Sequence, residues 1–324
     1  MDLPYAGIPY GPAPAWCFPL FECGLYLLFI LCLVHAAGRG ARNVLYILGG
    51  LAFGLLLEYM EVLMESYTYG RFWVMLGKAP MDIPLCIGVG WGIIMYTARL
   101  FTDRFGLGLL AAAALDTLLA LNIDLGMDTV AYRTHMWHWN WVGTGLNPLT
   151  AQWFGIPYGN FIGWQTVVFC YSAFSRTFEK WLMRNKTGAL KFTAIAVLAL
   201  LSSLFVLYAS EVYLFPFLNK YLGIKSVHRF YGISVILLGL VIVGWGKRKV
   251  AAENLPAITW MVPGWFHLFF TACFFILGFY KENTWMTAAA CINLLIGVII
   301  HLPGSFKSAS QDSVSTAGKI HHTS

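Results

Sequence analysis

The residues of this chain best suited to chemistry are acids inside apolar runs. Eight of its fifteen Asp and Glu residues fall between Glu58 and Asp128, around two stretches hydrophobic enough to lie in a membrane. Glu58, Glu61 and Glu65 are spaced i, i+3, i+7, which places them on one helix face. Asp116, Asp124 and Asp128 follow at i, i+8, i+12 and keep roughly to one face, with Gly126 placed to end that helix before Asp128. Carboxylates in hydrocarbon are costly and are functional candidates by default. Two carboxyl groups in one site can divide the work of a general acid and a general base, since burial can keep one protonated beside an ionised partner. Glu58, Asp116, Asp124 and Asp128 are therefore the catalytic candidates, with their roles left open. Asp82 and Asp103 read as loop charges for nearby arginines among Arg71, Arg99, Arg104 and Arg133.

Aromatic side chains crowd the same region: Tyr67, Tyr69, Phe72, Trp73, Trp91, Trp137, Trp139, Trp141, Trp153 and Trp164. Such a set is either an interfacial belt or the wall of a site for an elongated apolar ligand or a cation. Pro157 is followed by Asn160, at the start of an apolar run where Asn is a favoured cap. Trp164 comes one turn later on the same face. Tyr67, Tyr69, Trp91, Trp137, Trp139, Asn160 and Trp164 are the binding candidates. His135 and His138 form a single HxxH, too few ligands for a zinc site, and read as interfacial hydrogen-bonding groups; no metal is expected. No phosphate-binding loop, dinucleotide fingerprint, nucleophile elbow or zincin motif occurs in the sequence.

The elements that must hold these groups are apolar helices. The chain is 59% hydrophobic and 11% charged over 324 residues, and its apolar runs approach about 20 residues, the length of a membrane-spanning helix. The expected fold is an all-α, polytopic membrane bundle of about nine spans, near 20–37, 44–64, 84–101, 107–123, 160–175, 190–213, 228–246, 260–280 and 285–302. Alternate loops, with the tail, hold 14 of the 21 Lys and Arg residues and the opposite loops hold 7. The positive-inside rule then puts the N-terminus outside and the C-terminus in the cytoplasm. The net charge of +6 is topological, with no nucleic-acid partner implied. Residues 1–19 lack Lys and Arg and read as an extramembrane arm, not a cleaved signal peptide. Residues 20–185 form the acidic and aromatic membrane domain, 186–303 a C-terminal four-helix region, and 304–324 a polar tail expected to be disordered. The GIPYG of residues 7–11 recurs at 155–159 and reads as a repeated turn at the membrane interface. The seven cysteines include no CxxC pair and read as small apolar residues.

Glu58, Tyr67-Thr68-Tyr69, Gly77 to Pro80, Ile83-Pro84, Trp91, Asp124 to Asp128, Trp137-His138-Trp139 and the block GIPYGNFIGW at 155–164 resemble the carotenoid biosynthesis membrane family. That family includes the carotenoid 1,2-hydratases and bisanhydrobacterioruberin hydratase. The resemblance covers about residues 45–175. It is most specific in GIPYGNFIGW, against the family's GVPxxNFxGW, and it departs at Asp128-Thr129, where the family has Asp-Pro. It implies acid-catalysed hydration of a terminal double bond of an acyclic carotenoid in the cell membrane. It also implies a polyene substrate, lipid surroundings, other carotenoid enzymes as partners and no redox cofactor.

Two other classes remain open on the sequence. Intramembrane acids and Gly-broken spans suit a proton-coupled carrier, although the acids lack a matching set in the second half. A non-catalytic carotenoid- or lipid-binding protein would use the same aromatic wall.

Overall fold

The computed structural model describes residues 10–182, 188–251 and 254–301. Residues 1–9, with most of the first GIPYG copy, and the tail from 304 lie outside the described residues. Ten α-helices run through the rest: α1 (Cys17–Gly38), α2 (Ala41–Leu63), α3 (Leu85–Asp103), α4 (Leu109–Arg133), α5 (Tyr158–Leu182), α6 (Ala189–Ala209), α7 (Phe215–Leu222), α8 (Ser226–Trp245), α9 (Ile258–Ile276) and α10 (Thr284–His301). A π turn, Ser210–Leu214, joins α6 to α7, so the two form one long hydrophobic rod. Four short strands complete the fold: β1 (Tyr67–Tyr69), β2 (Met75–Leu76), β3 (Ile83–Pro84) and β4 (Trp137–Trp139). The protein is an all-α polytopic membrane bundle.

Each of the nine expected spans meets a helix, and eight rods are long and apolar enough to cross a membrane. The ninth, α5, is long enough but too polar, because it carries Asn160, Gln165, Ser172, Arg176, Glu179 and Lys180. Several of these turn inward. Gln165 donates to Ser234 Oγ at 2.7 Å, and Arg176 donates to Asp116 at 2.6 Å. The helix therefore sits against protein on its polar face and needs less hydrocarbon character.

Two sequence expectations about helix ends are corrected. Gly126 does not end α4, which continues to Arg133 and keeps Asp128 helical. A Cβ at Gly126 would come within 2.7 Å of Asn293 Nδ2, so this glycine admits α10, whose Asn293 donates to Asn122 O at 2.6 Å. Conversely, α2 stops at Leu63, and Glu65 has a positive φ of 57° beyond the helix. The stripe of three acids is thus two, Glu58 and Glu61.

The centre of the bundle is α3, with 83% of its apolar window buried, against 11% for α8. It packs on α1, α2, α4 and α9, while α4 also meets α5, α8 and α10. Close approach of α2 and α3 depends on small residues, as in other membrane helix pairs. A Cβ on Gly92 would lie 2.9 Å from Ile47 O, and one on Gly54 would lie 2.6 Å from Trp91 Cβ.

The strand-side ends of these helices are tied by polar groups. The Arg133 side chain is fully buried and donates to Glu282 from Nε at 2.7 Å and Nη2 at 2.5 Å. It also donates to the Thr129, Phe154 and Leu149 carbonyls, and the Tyr10 hydroxyl donates to Glu282 at 2.6 Å. One guanidinium thus joins α4, the loop before α5 and the turn before α10. Glu282→Ala is expected to leave that buried cation unpaired and to cost about 3–5 kcal/mol. The readout is a lowered unfolding midpoint of the detergent-solubilised protein; an unchanged midpoint would show that the pair is solvated and structurally idle.

Candidate active site

A cavity of about 50 Å³ lies between the strand-side halves of α2, α3, α4 and α5 and under the strands. Its polar wall is Glu58, Asp128 and Asn160. Its aromatic wall is Tyr67, Tyr69, Trp91, Trp137, Trp139 and Trp164. The seven binding candidates therefore line one space together with two of the four acids. Asp124 lies directly behind Asn160.

Local structure explains how the aromatics converge. β1 and β4 pair antiparallel in the register Tyr67 to Trp139, Thr68 to His138 and Tyr69 to Trp137. Side chains alternate across a strand, so the four aromatic rings share the cavity side, and Thr68 and His138 take the other. Tyr67 meets Trp139 edge-on at 4.7 Å between ring centres. The YTY and WHW alternation is a strand signal, and it had no place in an expectation of helices alone.

Glu58 is buried and accepts three hydrogen bonds. Tyr67 and Tyr69 donate to Oε2, and Trp91 Nε1 donates to Oε1 at 2.7 Å. Burial, then the Glu58 charge, push both phenols well above their usual range, so at neutral pH they remain donors. Trp91 also stacks on Trp164 at 3.8 Å between centroids and 19° between planes. Among the described residues no arginine or lysine pairs with Glu58.

Asp124 and Asp128 face each other one turn apart on α4. Asn160 Nδ2 donates to Asp124 Oδ2 at 3.0 Å and to Asp128 Oδ2 at 2.6 Å. One amide nitrogen thus bridges the two carboxyl groups and holds them close together, and like charges at such a distance disfavour ionisation of both. Asp124 Oδ1 is buried without a partner among the described residues. Because α5 begins at Tyr158, Asn160 is inside its first turn, and its amide serves the two acids.

Asp116 is not brought to this group. It accepts from Ser172 Oγ at 2.7 Å and Arg176 Nη1 at 2.6 Å and lies two turns before Asp124, about 12 Å at 1.5 Å per residue. The loop acids are paired as their surroundings suggest: Asp82 with Arg71, and Asp103 with Arg99 and Arg176. Glu22, which the sequence reading did not single out, is fully buried in α1 and accepts from the Trp73 and Val74 backbone N–H groups and the Tyr26 hydroxyl. It anchors the loop after β1. The apolar wall of the cavity, Phe21, Leu25, Ile87, Gly90, Met127 and Phe266 among others, was also not foreseen, since apolar residues in a membrane chain carry no local mark.

His135 Nδ1 and His138 Nε2 lie 2.8 Å apart, and His135 Nε2 lies 2.9 Å from Tyr10 O. They brace the strand pair from behind. Among the described residues no three His, Cys, Asp or Glu side chains are grouped to hold a metal.

An enclosed set of acids beside a wall of indoles and phenols, inside a helical membrane bundle, defines a membrane protein with an acidic and aromatic site. The chain matches the carotenoid biosynthesis protein family over residues 21–224, from α1 to the end of the α6–α7 rod, and it belongs to that family. The match extends further in both directions than the motifs that suggested it, and it runs past residue 185. No curated protein and no solved structure matches the chain.

Two predictions follow from the packing. Burial, then His135, hold His138 down at about 4 against an ordinary 6.5. Between those values the unfolded chain binds the proton and the folded chain does not, so stability falls as pH drops from 6.5 towards 4. The loss should be at most about 3 kcal/mol, seen as a falling melting midpoint whose acid limb is flattened in His138→Gln. Gly54→Ala would push Trp91 off α2. It should change tryptophan fluorescence and weaken ligand binding with little loss of protein; wild-type binding would show that Trp91 is not needed where it lies.

Proposed function

We propose that the protein hydrates the terminal carbon–carbon double bond of an acyclic carotenoid. The observation that carries this reading is the Asp124–Asp128 pair, bridged by the Asn160 amide and set beside Glu58 in an aromatic cavity. Family membership supplies the hydrophobic polyene as substrate class.

In this mechanism the aspartate pair delivers its proton to the less substituted alkene carbon. A C–H bond forms, the π bond breaks, and the neighbouring carbon becomes a tertiary cation. Aromatic faces stabilise a desolvated cation by about 2 kcal/mol or more each; Trp137, Trp139 and Trp164 line the space where it would form. A water molecule then adds to the cation. Glu58 is the ionised partner. A carboxylate offers about four acceptor positions, and Tyr67, Tyr69 and Trp91 occupy three, leaving one for a proton of that water. Alkene and water give a tertiary alcohol with no change in oxidation state, so a redox cofactor is not needed. The Glu58 proton returns to the aspartates through water.

In the proposed orientation, with the N-terminus outside and the C-terminus in the cytoplasm of a cell membrane, the site lies at the outer ends of α2 and α4. The chemistry belongs to residues 20–185, and the later helices serve as supporting wall.

Asp124→Asn and Asp128→Asn separate this reading from a structural one. Asn keeps the size but cannot protonate an alkene, and loss of a general acid costs about 10²- to 10⁴-fold in rate. At least one variant should accumulate normally, bind polyene and make almost no hydroxylated product. In labelled water, wild-type product should carry the label without added NAD(P)H or dioxygen. Full activity in both variants, or oxygen derived from dioxygen, would overturn hydration. Solute uptake without pigment change would point to a carrier, and bound pigment without product to a binding protein.

A further inference from the structure

The acid cavity is too small for the substrate it is proposed to act on. Its roughly 50 Å³ holds about four water-sized groups, at about 10–15 Å³ for each. That suits the branched end of an isoprenoid chain and nothing longer. The remainder of a polyene must lie elsewhere.

A second space of about 420 Å³ adjoins it between α2, α5 and the α6 end of the long rod. Glu58, Tyr67, Trp91, Trp139, Asn160 and Trp164 line both spaces, which makes them a narrow end and a wide end of one volume. The wide end is walled by Leu57, Met64, Leu207 and Val212. Met64 and Val212 are exposed on the outside of the bundle, where apolar surface faces lipid. Glu61 and Glu211 also line this end. The rim coincides with the π turn Ser210–Leu214, a local widening of the helix that often marks function.

The floor of the wide end is a bare stretch of α5. Gly159 and Gly163 are spaced i, i+4 and share a face. A Cβ on either would meet nothing within 4 Å. They differ in this from Gly54 and Gly92, whose missing side chains are replaced by a neighbouring helix. Among the described residues nothing fills the room that Gly159 and Gly163 leave. A separate observation also marks the junction as a ligand site. Trp139, 8% exposed, lines both ends, and its indole N–H has no partner among the described residues.

We infer that the polyene chain lies across the open Gly159–Gly163 face of α5, taken in sideways from the bilayer between α2 and the end of α6, with only its terminal isoprenoid group in the acid cavity. The identity of the ligand rests on the proposed function; the location of its chain does not require that hydration occurs.

The test uses binding, so that it survives failure of the hydratase reading. The full chain in lipid nanodiscs would be titrated with lycopene, a long acyclic polyene, and with a short acyclic isoprenoid alkene that fits the narrow end. Tryptophan quenching would report lycopene, and protection of the melting midpoint would report both. Gly163→Leu places a side chain in open space and should weaken lycopene binding by about tenfold or more, as an overfilled site does. Short-alkene binding should stay within about twofold. Val212→Trp, at the exposed mouth, gives a second variant that leaves α5 untouched and should show the same split. Lycopene binding undiminished in both variants, or equal loss of long and short ligands, would overturn the proposal. If the split appears and no product forms with wild-type protein, the groove stands and the proposed hydration falls.

Discussion

A carboxyl group inside an apolar bundle must be met by donors, and much of this fold serves that requirement. Glu58 has no cationic partner among the described residues, and three neutral donors converge on it from two different elements. That convergence fixes the distance between α2 and α3, which Gly54, Gly88 and Gly92 permit. It also fixes the path of the chain after α2, since Tyr67 and Tyr69 reach Glu58 only if the backbone turns into a strand. The strand needs a partner, and β4 supplies it directly after α4. Meeting one carboxylate thus brings the end of α4, with Asp124 and Asp128, to the same place.

The acids divide by their partners. Asp116 and Glu282 face arginines and hold helices together, as Glu22 holds a loop through backbone N–H groups. Glu58, Asp124 and Asp128 face amides, phenols, an indole and one another. A buried ion pair is locked by its own attraction, whereas acids held by neutral donors can exchange protons without losing a counter-charge. This difference in company, more than depth in the membrane, sets apart the groups suited to proton transfer.

Much of this was legible in the sequence because hydrocarbon makes exceptions visible. Each of the nine expected runs met a helical rod, α6 and α7 sharing one, and the acids and aromatics between Glu58 and Trp164 stood out against them. Asp116 carried the same mark as Asp124, since sequence shows that an acid is buried but not which partner waits across a helix interface; Arg176 lies 60 residues away. The end of α2 before Glu65 and the continuation of α4 through Gly126 depended on contacts from Asn140 and Asn293, far along the chain. Phe266 was invisible for a different reason: an apolar side chain lining a cavity looks like one facing lipid.

Trp91 joins two parts of the site that are otherwise separate. Its N–H is bound to Glu58 and its face lies on Trp164, which in turn follows Asn160 by one helical turn and so shares a rigid element with the amide that bridges the two aspartates. Any change in the hold between Glu58 and that indole therefore shifts a stacked pair of chromophores. The stacked indoles thus tie the Glu58 side of the cavity to the aspartate side through contact alone.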